Sequence, residues 1–182
     1  LSEEESLEEL KAHVIIKLRK YKTVKKEKVK DITSYLIKTP KTKQKALIWC
    51  IPKEGTVGIA IVKSLLKVME EKNIETGMII TCGKYTHAAR VSAQKNNIEL
   101  LPKIFPPFDI FKHKLVPKHE ILTLEEREQV LAQYKIEPYQ MPQIKTTDPV
   151  VNALGAKPGD VLRIIRESPT AGTHIAYRYV VE

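Results

Sequence analysis

Cysteine is scarce in this chain. Cys50 and Cys82 are the two in 182 residues, with no CxxC, so a disulfide framework is excluded and an intracellular compartment is expected. Long apolar runs are missing as well. No stretch approaches the about 18 residues that a membrane-crossing helix needs, and nothing combines the charged, apolar and cleavable parts of a secretory signal. No membrane partner is expected. The chain starts at Leu1 rather than Met, so a leader or a disordered start is expected ahead of it. The seven glycines fall in neither GxxxxGK[ST] nor GxGxxG, which argues against nucleotide hydrolysis and a Rossmann cofactor. His13, His87, His113, His119 and His174 form no HExxH and no His/Cys cluster, so no metal site is expected. A GxSxG elbow is absent. Both cysteines lie in or beside apolar runs, where the residue serves as a small hydrophobe, and Trp49 reads as core in the same way. There is no internal repeat, heptad run or low-complexity tract.

What the chain has in excess is positive charge, at +9 overall, and it is unevenly placed. Residues 11–45 carry 13 Lys and Arg against Glu27 and Asp31, residues 1–10 carry five Glu and no base, and the remainder is nearly balanced at 18 against 15. The segment "KLRKYKTVKKEKVK" either attracts phosphates or forms an ordinary solvated helix face.

Periodicity divides the chain into two regions. Ser2 to Glu5 reads as a capping box ahead of an amphipathic helix with Leu7, Leu10, Val14, Leu18 and Tyr21 on one face. A second helix is expected from Thr23, with Val29, Ile32 and Leu36 aligned, ending before Pro40. Then "ALIWCIP", "TVGIAIVKSLLKVMEEKN", "GMIITCG", "THAARVSAQKNN" and "IELLP" alternate as strand, helix, strand, helix, strand, which implies a small parallel or mixed sheet with helices on it. "PKIFPPF" opens a linker. Beyond it, Thr123 to Glu126 makes a capping box, Asp148 and Pro149 start a helix that Gly155 closes, "KPGD" turns, and "VLRIIRES" and "THIAYRYVV" pair through "PTAG". The expected class is α+β overall: an α/β domain of helices on a small sheet over 1–101, a linker over 102–114, and a compact α+β domain over 115–182 that ends in a β-hairpin.

Two constellations bear on chemistry. A nuclease of the restriction type needs carboxylates on adjacent strand ends to hold Mg²⁺ beside a lysine. The candidate strands supply Glu99 alone, and the Glu70 to Lys72 pair has ExK spacing on a helix. The second is "CGKYTHAARV", where a strand gives way to a helix: Thr86 can cap, and Lys84, His87 and Arg90 surround free backbone N–H groups suited to phosphate. Its ordinary alternative is a capped helix with solvated charges.

At the C-terminal end, "LVPKHEIL", "PQIKTTDPVVNALGAKPGDVLRIIRESPTAG" and "YRYVV" resemble, in order and without evident gaps, the assembly domain of subunit 5 of eukaryotic DNA-directed RNA polymerases and of its archaeal counterpart. Earlier, "GTVGIAIVKSLLKVMEEKNIETGMIIT" resembles the family's jaw domain. "KYTHAARVSA" holds the place of its DNA-side loop, with His87 where that family has Pro and Ala88 where it has Ser. The resemblance implies a non-catalytic subunit, without a cofactor of its own, in an enzyme whose large subunits hold Mg²⁺. Its partners would be the largest polymerase subunit, the small subunit six, other core subunits and downstream duplex DNA. Lys84, Thr86, His87 and Arg90 become the DNA-contact candidates. The partner-interface candidates are Pro117, Lys118, His119, Asp148, Pro149, Arg163, Arg166, Thr170, Gly172, Tyr177 and Arg178. A jaw domain points to a cellular eukaryote, with a nuclear location, or to a large DNA virus, with host cytoplasm or virion. By alternation, Ile175, Tyr177, Tyr179 and Val181 share one face of the last strand and Arg178 takes the other, so one face is expected to pack internally and one to meet a partner. Rival readings are a nuclease-like enzyme and a free-standing basic nucleic-acid-binding protein.

Overall fold

In a computed structural model, which describes residues 6–29, 31–40, 44–52, 55–168, 170 and 172–182, the chain forms two units, residues 1–108 and 109–182. The first begins with helix α1 (Leu7–Leu18), where the Ser6 side chain accepts a hydrogen bond from Glu9 N–H and caps the helix. The capping box expected at Ser2 to Glu5 lies outside the described residues. The helix expected from Thr23 and ending before Pro40 is instead a hairpin of two strands, β1 (Lys22–Val29) and β2 (Ile32–Lys38). The decisive period is 2, not 3.6: Thr33, Tyr35 and Ile37 are buried and alternate with half-buried neighbours, and β-branched and aromatic residues suit a pleated surface. Strand β1 lies at the sheet edge, nearly all exposed, rich in lysine and carrying a register shift between Thr23 and Lys25. Each of these devices blocks edge-to-edge pairing with another chain.

The remaining elements keep the expected order: β3 (Lys45–Ile51), a short β4 (Thr56–Val57), α2 (Ile59–Glu71), β5 (Thr76–Thr81), a short β6 (Lys84–Tyr85), α3 (His87–Lys95) and β7 (Ile98–Leu100). The main sheet has order β1-β2-β3-β5-β7, antiparallel from β1 to β3 and parallel from β3 to β7. Leu47, Ile51, Ile79 and Ile98 pack with Val62, Leu65 and Met69 of α2 and Ala89 and Ala93 of α3. A Cβ on Gly77 would sit 2.7 Å from the Met69 Sδ and 3.2 Å from Leu65 Cδ2, so glycine lets β5 approach α2 closely. The other sheet face takes α1, where Thr33 and Tyr35 meet Glu9 and His13. Both faces are therefore covered. Within the stretch 102–114, Phe105 is buried in the first unit and Ile110 in the second.

The second unit is a four-stranded sheet of order β8-β10-β11-β9, with β8 (Lys118–Ile121), β9 (Gln143–Lys145), β10 (Val161–Ser168) and β11 (Gly172–Val181). Helix α4 (Leu124–Tyr134) carries the expected capping box of Thr123 and Glu126, and α5 (Pro149–Leu154) is capped by Asp148 and ended by Gly155 at φ 71°. The hairpin of β10 and β11 differs from expectation in its faces. Val161, Tyr177 and Tyr179 pack with Val130 of α4, while Leu162 and Val180 pack with Val151 of α5. Core therefore lies on both faces at the base of the hairpin, because two short helices flank the sheet. The far half, Arg166–Glu167 and Gly172–Ile175, is exposed.

Candidate nucleic-acid and partner interfaces

In the first unit, short pairings bring two helix starts together. Strand β4 runs parallel to β6, with Lys84 N–H donating to Gly55 C=O at 3.3 Å and Thr86 N–H to Val57 C=O at 3.1 Å. Each strand passes through one residue, Gly58 or Thr86, into its helix, so α2 and α3 begin side by side. Neither has an acid in its first turn, and their positive dipole ends reinforce each other. The Thr86 hydroxyl accepts from Ala89 N–H at 3.2 Å. Tyr85 anchors the turn, its hydroxyl within 2.9 and 3.0 Å of the Ile79 and Leu101 carbonyls; burial raises its pKa, so it stays a donor. Lys84, His87 and Arg90 are exposed around this point. Sequence reasoning found the α3 start and missed its twin. The signal was present: "GTVGIA" and "GKYTHA" share a glycine, a two-residue strand, a cap and a helix start.

A second polar group was not expected at all. Under α1, Glu8, Glu9, Lys11 and Thr33 are buried, Lys11 at 2% exposure. Thr33 Oγ1 donates to Glu9 Oε1 at 2.7 Å, and Lys26 Nζ lies 3.1 Å from Glu9 Oε2 and 5.4 Å over the Tyr35 ring. Burial pushes the Glu9 carboxyl up, but the Thr33 and Lys26 hydrogen bonds and the Lys26 and Lys28 charges outweigh it and hold it below the usual range. Lys11 donates to the Lys103 carbonyl at 2.8 Å and lies 3.9 Å from Cys82 Sγ. Burial, with the Glu8 charge, raises the Cys82 thiol, and burial raises Cys50 further, so neither is an activated nucleophile. Glu99 is held by Arg19 in a bidentate pair at 2.6 and 2.7 Å. Thr33 and Cys50 are cross-strand partners. The adjacent strand-end positions Thr33, Cys50, Ile51, Ile80 and Thr81 carry no carboxylate, and among the described residues no three His, Cys, Asp or Glu side chains converge on a metal position.

In the second unit, a groove of about 520 Å³ is lined by Lys114 to Lys118 and by Ile165, Arg166 and Glu167. It forms because β8 pairs with β10 only up to Lys118 opposite Ile165. Upstream, residues 114–117 leave the Arg166–Ser168 edge without a neighbouring strand. Leu115 is 82% exposed and Ile175, paired with Ile165 across the hairpin, is 47% exposed. Pro117, Lys118 and Arg166 of the interface candidates line this groove. Others have internal roles. Arg163 donates to Glu120 at 2.9 and 3.1 Å and to Glu126 at 3.3 Å. The Lys118 and Arg163 bonds hold the Glu120 carboxyl below its usual range. The His119 Nδ1 lies 2.7 Å from the Pro117 carbonyl, Asp148 accepts from Val150 N–H at 2.8 Å beside Pro149, and Tyr177 meets Tyr134 edge-on. Arg178 Nη1 donates to the Gln143 carbonyl at 3.3 Å. Thr170 and Gly172 sit at the exposed hairpin tip.

The comparisons fall on these same two units. Residues 108–180 match the family described as RNA polymerase Rpb5, C-terminal domain. DNA-directed RNA polymerase subunit Rpo5 of Pyrococcus abyssi is 60% identical over 75 residues, 41% of this chain and 92% of that protein. The chain belongs to the RNA polymerase subunit 5 family. In this subunit 5 chain, the family match over residues 108–180 takes in nearly all of the ordered motifs from Leu115 onward. Subunit RPABC1 of DNA-directed RNA polymerases I, II and III of Caenorhabditis elegans is 37% identical over 134 residues, 71% of this chain and 64% of that protein, so its likeness reaches into the first unit. Residues 3–103, more than half of the chain, match the restriction endonuclease family, to which this subunit 5 chain also belongs through its first unit. The expected shortage of strand carboxylates, with Glu99 alone on a candidate strand, thus stands beside a nuclease-family match. The buried Glu9 is bonded by the buried Thr33 and by the exposed Lys26.

Proposed function

We propose that this chain is a non-catalytic subunit of a multisubunit DNA-directed RNA polymerase that works by docking and by charge. The second unit anchors it to the largest subunit, with the small subunit six and other core subunits nearby, and the first unit serves as a jaw beside downstream duplex DNA. The observation that carries the reading is the match of residues 108–180 to the Rpb5 C-terminal domain, a stretch that also bears the exposed groove and the hairpin. In the first unit, Lys84, Thr86, His87 and Arg90, with the twin starts of α2 and α3, meet the DNA backbone and position it without reading its sequence. RNA synthesis and its Mg²⁺ belong to the large subunits in this reading. No described helix is long and apolar enough to cross a membrane; the location proposed is the compartment of the polymerase served, inside the cell or in a virion.

The test is incorporation of residues 109–182 against residues 1–108 into the polymerase. Incorporation of the second unit and not the first is the expected result; the reverse would sink the reading. The restriction-endonuclease match favours one second reading, a nucleic-acid-binding first unit able to act outside a polymerase. A Mg²⁺-dependent cleavage assay on supercoiled DNA separates a nuclease from a binder, and no cleavage is expected.

A further inference from the structure

The outer edge of β11 is open where the hairpin projects. Peptide groups alternate in direction along a strand. Tyr179 N–H donates to Pro142 C=O at 2.9 Å and Val181 C=O accepts from Thr146 N–H at 2.8 Å, both away from β10, whereas Val180 N–H donates to Asp160 on the β10 side. By the same alternation Thr173, Ile175 and Tyr177 aim their N–H and C=O groups away from β10. Strand β9 pairs only with Tyr179 to Val181, and Thr173 and Ile175 are exposed. The register also sorts the side chains. Ile165, Ile175 and Tyr177 share one face with Glu167 and with Arg163, which Glu120 and Glu126 hold; Arg166, His174 and Arg178 share the other with Leu162, Ile164 and Ala176.

Resting on the reading that the second unit docks on another polymerase subunit, we propose that docking occurs by strand addition: an extended segment of that subunit, alternating apolar and acidic side chains, pairs with β11 from Gly172 to Tyr177 in line with β9. Its apolar residues lie over Ile175 and Tyr177, and its acids face Arg166, His174 and Arg178. Six residues of edge span about 20 Å, an ordinary strand length. A second copy of this chain fits badly. Pairing two β11 edges in antiparallel fashion continues the sheet and sets His174 and Arg178 of both copies on one face, where like charges repel. The added strand therefore comes from a chain with acids at alternate positions.

Proline at 173 or 175 removes an outward donor and leaves the hydrogen bonds to β10 intact, a place where edge strands accept it. In competition with the native chain for incorporation into the polymerase, Thr173→Pro and Ile175→Pro should each lose about tenfold, and Ile175→Thr, which keeps its N–H, only a few-fold. Arg166→Glu should lose about tenfold through the charged face. Hydrogen exchange over residues 172–178 should slow on assembly. Thermal melting of each free variant separates a docking defect from misfolding, and Thr173→Pro at the tip serves if Ile175→Pro melts early. Native-like incorporation of both proline variants, with unchanged exchange over 172–178 in the assembled enzyme, would overturn strand addition while leaving docking by the second unit intact. Failure of residues 109–182 to join the polymerase at all would instead strike the docking reading itself.

Discussion

The two units bury their sheets differently. In the first, five strands lie between α1 and the pair α2 and α3, and the long edge strand β1 is guarded by lysines and a register shift. In the second, the buried clusters are small and gather at the base of the hairpin, and among the described residues the far half of β10 and β11 carries exposed isoleucine with neither a lysine nor a register shift. A unit of 74 residues has little interior of its own. The difference teaches where each can work: a closed unit offers charge on its surface, and a unit short of core offers apolar edge to another chain.

Truncation after Ser168 should have the largest effect and presses hardest on that contrast. It removes β11, leaves β10 paired with β8 alone and strips Val180 from the core, so incorporation should be abolished while the first unit still folds and melts as before. A melting transition of the first unit that shifts with the truncation would show that the two are not independent. Next, Leu162→Ala leaves a cavity in the fully buried base of the hairpin and should cost about 2–5 kcal/mol. Calorimetry of the whole chain should show that loss in one transition only.

The pH dependence separates the units further. Glu9 is 8% exposed and its folded-state pKa lies below the usual value, so its contribution is fully present above the unfolded value of about 4.3 and is lost as pH falls through the folded value. Glu120 and Glu126 are also lowered, Glu120 by Lys118 and Arg163 and Glu126 first by the Thr123 backbone, but they stand about a third exposed, where such pairs contribute little. Acid should therefore weaken the first unit more through Glu9, and Glu9→Gln should flatten its stability against pH below about 4.3. An unchanged slope would remove the Thr33 and Lys26 network from the account.

The sequence carried much of this, unevenly. Long apolar runs such as "ALIWCIP" and "GMIITCG" became β3 and β5 because a strand buried on both faces needs no alternation. The Asp148 and Thr123 caps were readable because capping is local chemistry. Residues 22–38 were misread because Val29, Ile32 and Leu36 fit a helical spacing by accident, while the period-2 pattern of Thr33, Tyr35 and Ile37 spans only one strand. Strands β8 and β9, four and three residues long, lie below what pattern can signal, and with them went the cover on both sides of the hairpin. Nothing local in the sequence marks a partner for Lys11 or Lys26; only the tertiary fold brings Lys103 and Glu9 to them. The twin helix starts likewise depend on β4 meeting β6, Thr56 opposite Lys84 and Val57 opposite Tyr85, far apart along the chain.

The smallest expected effect concerns the first unit's charge, and it tests the contrast from the opposite side. Lys84 and Arg90 are exposed beside the starts of α2 and α3. Replacing both with Ala removes no core and no cap, since Thr86 remains, so folding and incorporation should be unchanged. If each contacts a phosphate of downstream DNA, their loss gives up two released counterions, and the slope of log affinity against log salt should become shallower by about one unit per contact. The effect is modest at physiological salt and grows as salt falls, because exposed charges are screened within about 8 Å at 0.15 M. Leu115→Asp in the groove should do the reverse, weakening incorporation while leaving the salt slope of every assembled enzyme as it was. An unchanged slope for the Lys84 and Arg90 double variant would take DNA contact away from this loop. A changed slope for Leu115→Asp would mean that docking and DNA binding are not divided between the units in this way.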